Sequence, residues 1–535
     1  MRSQVTAPQL VLARMKELVD NQTSWHRALW QVGTTVAILE VAEAAAATWN
    51  GSITSPEALR DVQDSASRQA LRDTGIGPLP VREALAKAIR ALPAKHAPGA
   101  PAERAAVEQL AERTRDGYLL RWADHVGSGS LTDDQIEVAA RLTVAHLLDE
   151  GFHKSHIHGW LTNTPPTDTL ETVLRKGDAM LQSGYREFEL LLPVAKVENK
   201  VAPYLTAQAI AVESYVEAFD SSLNASSSTR DRSLATALRL TFEARDPYSA
   251  VAMAVTWMQR LEDRVSVGLG RPGITFGERI VDTTTRKVRE FRGEARPLNL
   301  PSVQRNGQYL TSTTGSSSAQ ARIDDALGML AANQHRSTPT GIASIWAALE
   351  ALLGLPGAKG VEAADRLADV VTCSFPRAEI TELARRWERT GSNALSEELA
   401  GLQSTAEKAA RMLEAISSGN APNFDAPKDI AAIHRVEQLL KDPAEVLGRV
   451  RAYYVATFRR LYYQRNFIMH AGKLDSISLR ATSRTAPQLV AAGIDRLVNA
   501  NLTAGMEPHN LAARAKTELS FVGAAGSKPL HDLLA

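Results

Sequence analysis

The chain has 535 residues, 44% of them hydrophobic and 23% charged, with a formal net charge of +1. That composition fits a folded chain of roughly two to four domains. No apolar run approaches the length of about eighteen residues that spans a bilayer. The amino terminus, MRSQVTAPQLVLARMKELVD, is too mixed for a secretory signal, so a cytoplasmic protein is expected. Cys373 is the single cysteine, which rules out an intramolecular disulfide and a zinc site built on several thiolates. No histidine is near it in sequence, so Cys373 reads as a small core residue and not as a nucleophile.

Residues 1–130 are Ala-rich and helical in pattern, most clearly over Val36–Ala47 and Arg104–His125. The stretches Gly75–Pro80 and Pro98–Pro101 break the pattern. No chemistry is evident here, and Trp25, His26, Arg27 and Trp30 read as core. Residues 131–310 form a mixed α/β region, a candidate sensing or regulatory unit. It opens on a capping box at Thr132–Gln135. The helix that follows runs to Glu150 and leads into His153, His156 and His158. Only the first two share a helical face, so exposed histidines are expected and no metal site is assigned. Phe188, Leu190 and Leu192 alternate with Glu187, Glu189 and Leu191, which predicts a strand with one buried face. Leu234–Glu243 predicts a second strand and Arg279–Arg292 one or two more. A helix is expected over Pro203–Phe219, with a polar connection at Ser221–Thr229 after it. Asp246-Pro247 starts another helix, striped by Val251, Val255, Met258, Leu261 and Val265. Gly268-Leu-Gly-Arg-Pro-Gly matches no phosphate-cradling loop.

Thr311–Ser318 is the best linker in the chain, and the last domain boundary is placed there. Beyond it the periodicity is helical throughout. Helices are expected at 321–333, 340–354, 361–374, 378–388, 397–417 and 430–440, then a long one, then 486–501. The segment 503–535 reads as a tail. The long helix carries a stripe of Leu447, Val450, Tyr454, Phe458, Leu461 and Ile468, and Arg465 falls on that stripe. A guanidinium on a packing face requires an anion, a neighbouring subunit or a wet cleft. Asn466 and His470 are four apart and can touch, and Gly472 is a fitting stop. Between Arg449 and Arg484 there are eight arginines and lysines against Asp475 alone, interleaved with tyrosines. Such a patch suits a polyphosphate backbone and unstacked bases, and equally a solvated face over an aromatic core.

The segment Arg465-Asn-Phe-Ile-Met-His470-Ala-Gly, preceded by Phe458-Arg-Arg-Leu-Tyr-Tyr-Gln, resembles the R-x(4 to 6)-H signature of HEPN domains. Within them it is similar to the Apea-like group of prokaryotic anti-phage defence proteins. Ile342–Leu353, with Trp346-Ala-Ala-Leu-Glu350, resembles an early helix of the same domain. The resemblance covers residues 320–502. It implies a mainly α chain: a C-terminal HEPN-like helical bundle after an α-helical N-terminal region and the mixed α/β middle, with an extra helical insertion near 385–423. It also implies a metal-independent endoribonuclease that acts in anti-phage defence or abortive infection. Arg465, Asn466 and His470 would be catalytic, with no cofactor and no metal. Arg459, Arg460, Lys473, Tyr463 and Arg480 would contact RNA, and Glu350 would position Arg465. Residues five apart on a helix point about 140° from each other. One subunit's Arg465 and His470 are therefore expected not to meet, and a composite site in a homodimer is expected instead. A phage-derived trigger or an antitoxin is the expected further partner. The alternative is a non-catalytic HEPN scaffold that binds nucleotide, RNA or a partner protein. The same spacing recurs at Arg141–His146 and Arg90–His96 without the Asn, the basic surround or the Ala-Gly ending, and Arg141 and His146, in an ordinary amphipathic helix, read as structural.

Overall fold

In the computed structural model the described residues are 5–52, 56–129, 131–207, 211–223, 234, 236–290, 298–305, 307, 318–331 and 338–534. Among them the chain is mainly helical, with one small antiparallel sheet. No described helix is long and apolar enough to cross a membrane. Of the expected linker Thr311–Ser318 only Ser318 is described, as the first residue of a helix, and most of the polar connection at 221–229 likewise lies outside the described residues.

The Ala-rich beginning folds as a stack of helices at Ala7–Val19, Thr34–Trp49, Pro56–Arg72, Leu79–Ala91, Ala100–Arg115 and Tyr118–Ser128. Their core does not stop at residue 130. It continues through the helices Asp133–Asp149, Lys154–Thr162 and Leu170–Gln182, which bury Leu142, Leu147, Ile157, Leu161, Val173 and Leu174 in the same cluster. The capping box at Thr132 forms as read, with its hydroxyl accepting from Gln135 N–H.

The sheet occupies 186–290. Its strands are β1 (Arg186–Val197), β2 (Ala211–Ser214), β3 (Thr236–Ala244), β4 (Ile274–Phe276), β5 (Arg279–Asp282) and β6 (Lys287–Glu290). They lie in the order β2-β3-β1-β5-β6, with β4 pairing the far end of β1, and every pairing is antiparallel. β2 interrupts the helix expected over Pro203–Phe219, leaving short helices at Ala202–Ala207 and Tyr215–Leu223. Both faces of β1 are covered, where one was expected. Phe188, Leu190 and Leu192 pack under the helix Pro247–Leu269, while Leu191 lies against Tyr215 and Phe219. Asp246 caps the former helix, accepting from the N–H groups of Tyr248 and Ser249.

The C-terminal helices are Ser318–Ala331, Thr338–Leu353, Gly360–Thr390, Ala394–Gly401, Thr405–Ser417, Pro427–Lys441, Pro443–Ala471, Leu479–Ala504 and Pro508–Phe521. Gly360–Thr390 is one helix, not two, and Pro376 sits inside it. A proline removes one backbone bond, at a cost of about 3 kcal/mol. Here Val370, Val371, Cys373 and Phe375 on one side of it and Ile380, Leu383 and Ala384 on the other are all buried, and that packing holds the helix together across the defect. The helix expected over 397–417 is instead two, because Ser404 and Glu407 form a capping box that starts a new one. The tail is no tail: Leu511, Ala512 and Ala515 are buried in the bundle, and the Cys373 thiol donates to Ala515 O at 3.4 Å.

The amino- and carboxyl-terminal helices share cores. Tyr463, Phe467 and Ala481 belong to the N-terminal cluster. Trp30 crosses the other way and sits between Phe375, Tyr454 and the guanidinium of Arg141, which lies 4.1 Å from its ring centroid. Thr457 Oγ1 donates to Trp30 O at 2.7 Å.

Candidate active site at the end of the Pro443–Ala471 helix

Pro443 follows the capping Asp442, whose carboxylate accepts from Glu445 N–H. Leu447, Val450, Tyr454, Phe458 and Leu461 are then buried at three- and four-residue steps, so the stripe read from the sequence is the packing face. The helix ends at Ala471. Gly472 adopts φ 62°, ψ 17°, a left-handed conformation that glycine takes without steric cost, and the N–H groups of Gly472 and Lys473 both reach back to Phe467 O. This ending fixes where the last turn faces solvent.

Arg465 and Asn466 are half-buried there and His470 is exposed. Arg465 Nη1 donates to Asn466 Oδ1 at 3.0 Å and lies 3.0 Å from His470 Nε2. Its Nη2 is 3.9 Å from Glu350 Oε2, on the Thr338–Leu353 helix. So one subunit brings Arg465 and His470 together, against the expectation from helical geometry. The 140° argument holds for Cβ directions, but a long, flexible guanidinium side chain lies across its neighbour Asn466 and reaches the ring one turn on. Asn466 and His470 share a face as read, and Arg465 bridges them. A guanidinium only donates, so His470 Nε2 is the acceptor in this contact. Glu350 is close enough to serve as the counter-ion of Arg465.

Of the five expected RNA contacts, two are interior. Arg460 is buried and both carboxylate oxygens of Glu40 accept from its Nε at 2.9 Å. Tyr463 is buried and donates to Asp61 Oδ2 at 2.8 Å. Burial and the neighbouring carboxylate of Asp61 push its phenol well above the usual range. Arg459 is bidentate on Asp365, at 2.9 and 2.7 Å, and also pairs with Asp61. Lys473 pairs with Glu43 over the ring of Phe467. Arg480 alone of the five is exposed. The rest of the basic run is likewise paired: Arg449 with Asp134, Arg451 with Asp369, Arg484 with Asp149. The acids lie far off in sequence, so the lopsided charge count along 449–484 is balanced in space.

Sequence reasoning missed Glu40 and Glu43. They lie three apart on Thr34–Trp49, one turn of an otherwise apolar helix, and both are buried. Ser478 Oγ donates to Glu40, while Ser476 Oγ and Ile477 N–H donate to Glu43. Gln464 Nε2 donates to both serine hydroxyls, at 2.9 and 2.8 Å. These bonds pin the loop that follows His470. A detectable signal was present, since two carboxylates on a buried helix need cationic or hydroxyl partners. A pocket of 240 Å³ lies beside this loop, bounded by Phe467, Ala471, Lys473 and Ile477 on one side and Arg104 and Glu108 on the other.

Of the lookalike pairs, Arg141 and His146 are interior, while Arg90 and His96 are both exposed. Arg141 is buried and bonds Glu137, and His146 is buried against Tyr118. His96 lies edge-on to Trp49. His153 caps its helix by accepting from Ser155 N–H and stacks on Tyr248, while His156 stacks on Phe152. Among the described residues, no group of three histidines, cysteines or carboxylates is placed to hold a metal ion. Cys373 is buried, which raises its thiol pKa. No protein-family model matches the chain, and neither a curated protein nor a solved structure matches it.

Proposed function

We propose that this protein is a metal-independent endoribonuclease of HEPN type, an effector in anti-phage defence or abortive infection. The observation that carries the reading is the grouping of Arg465, Asn466, His470 and Glu350 at a solvent-facing helix end, with the imidazole acceptor 3.0 Å from the guanidinium. Without RNA, Arg465 is shared between Asn466, His470 and Glu350. A scissile phosphate is a better anion than any of them and draws the guanidinium over, which frees His470 Nε2. That nitrogen takes the proton of the ribose 2′-hydroxyl as O2′ attacks phosphorus. The P–O5′ bond breaks, and the 5′-oxygen leaves with a proton from a protonated imidazole or water. Charge building on the phosphoryl oxygens is met by Arg465. The products are a 2′,3′-cyclic phosphate and a 5′-hydroxyl, and DNA is not cut because it lacks the nucleophile.

A homodimer remains part of the reading, on a different ground from that given by helical geometry. Met469, Leu474 and Ile477 are 60%, 58% and 43% exposed around the site, an apolar rim that suits a second copy. Sedimentation that gives only monomer at micromolar concentration would remove the dimer. The nuclease is tested by incubating purified protein with RNA in a metal chelator, beside Arg465→Ala and His470→Ala. Cleavage by wild type alone, leaving cyclic phosphate ends, is expected. RNA left intact by wild type, even in cells infected by a phage that the protein restricts, overturns the reading in favour of a non-cleaving scaffold.

A further inference from the structure

A second, larger cavity lies away from the helix end. It is a groove of 1390 Å³ between the second half of the Pro247–Leu269 helix and the short Ala202–Ala207 helix, closed on a third side by Arg480. Leu240 and Phe242 of β3 form its floor, where the apolar core of the sheet opens to solvent. Along the rim stand Tyr204, which is 74% exposed, and Trp257. Lys200, Arg260, Arg264 and Arg480 also line it, all four exposed, and among the described residues no acidic one does. In a chain with nearly equal numbers of acids and bases, whose 449–484 cations are otherwise paired, four cations around one aromatic groove are a concentrated exception.

The occupant has to be anionic and has to carry flat rings. Small-molecule pockets run to about 1,000 Å³, and this groove is larger. Its charges are also spread: Arg260 and Arg264 are one helical turn apart, and Arg480 stands on a different element. That pattern fits a strand with a phosphate at each step and bases free to stack. A duplex hides its base faces, and an acidic peptide has none. Arg480 follows directly on the loop 472–478 that leaves the candidate active site, so groove and site share one connection.

We propose that this groove binds single-stranded RNA, with bases on Tyr204 and Trp257 and phosphates on Arg260, Arg264 and Arg480, and delivers it to the helix-end site. The proposal rests on the ribonuclease reading for its delivery role but not for binding. It is tested with a labelled oligonucleotide of about ten nucleotides, fully 2′-O-methylated so that it cannot be cut, by fluorescence anisotropy on the full chain. For three phosphate contacts, log affinity should fall against log salt with a slope of about −2, and Arg260→Ala with Arg264→Ala should flatten that slope by about 1.4. Tyr204→Ala should weaken binding about tenfold and leave the slope unchanged. All three groove positions are exposed, so thermal melting of these variants should match wild type. Binding indifferent to all of them, or displacement of the RNA by polyglutamate at equal charge, overturns the groove. If wild type cuts unmodified RNA while groove variants cut it equally well, delivery is wrong and the nuclease stands. If the groove variants lose binding while wild type cuts nothing, the groove stands and the nuclease fails.

Discussion

Two groupings of arginine, histidine and glutamate in this molecule use the same side chains under opposite conditions. In the interior, His26 Nε2 lies 3.4 Å from Glu379, which also accepts from Arg27 at 3.0 Å and from Arg435 at 2.9 Å. At the surface, His470 and Glu350 flank Arg465, the carboxylate at 3.9 Å and the ring exposed. Inside, burial drives the imidazole down to about 3, while Arg27 and Arg435 hold the Glu379 carboxyl well below the ordinary range against its own burial. Nothing there is free to exchange a proton near neutrality. The outer group has one loose ion pair and water on one side, so its partners can be traded for a ligand. Residue types alone do not separate a brace from a site; solvent access and the slack in the pairing do.

That contrast is broken most severely by removing the outer group. His470→Ala or Arg465→Ala should lower RNA cleavage by about 10² to 10⁴-fold while leaving the denaturation midpoint unchanged, as measured by single-turnover assays beside chemical unfolding. Glu379→Ala should do the reverse. It strands two buried guanidinium groups, and a loss of roughly 3–5 kcal/mol in folding stability is expected, or failure to accumulate as folded protein. An intact midpoint for Glu379→Ala would show that the inner network is not a brace.

Acidification separates the two groupings more gently. His26 and His146 are held near 3 in the folded chain by burial, against a usual 6.5. The unfolded chain therefore binds protons that the folded one does not, and stability falls as pH drops below 6.5, by roughly 1 kcal/mol per pH unit for each histidine. Glu137, held at about 2 by Arg14, Arg141 and Arg435 against its burial, adds a loss of the same sign below 4.5. Urea midpoints measured from pH 7 to pH 5 should move down, and the movement should shrink in His26→Gln. The smallest effect is expected from Arg459→Ala, about 1 kcal/mol of stability for its half-exposed pairs with Asp365 and Asp61 and no change in the salt dependence of RNA binding. Arg480→Ala should show the converse.

Helix positions were largely legible because their signals are local. The stripe from Leu447 to Leu461, the stop at Gly472 and the caps at Thr132 and Asp246 each depend on residues within a turn or two, and each formed as read. Pro376 misled because the packing that carries a helix through a proline comes from distant residues. The short strand β2 was hidden for a related reason, since it exists by pairing with β3. At the site, Arg465, Asn466, His470 and Glu350 were legible as a set, but not their contacts. Reach along a flexible side chain is not readable from helical angle. The roles of Arg459, Arg460 and Tyr463 were not legible, because a basic run looks solvated until its partners at Glu40, Asp61 and Asp365 are known, and those lie about 90 to 420 positions away.

The bonds from Glu40 and Glu43 to the loop after His470 have a consequence for how this chain can be taken apart. A fragment beginning near residue 318 would keep the whole signature, yet it would lose the carboxylates that orient Ser476 and Ser478, the partner of Arg460 and the indole of Trp30. Such a fragment should come out of cells aggregated, and co-expression with residues 1–182 should restore it. The signature is thus not a portable cassette: its geometry is inherited from helices encoded more than 400 codons upstream.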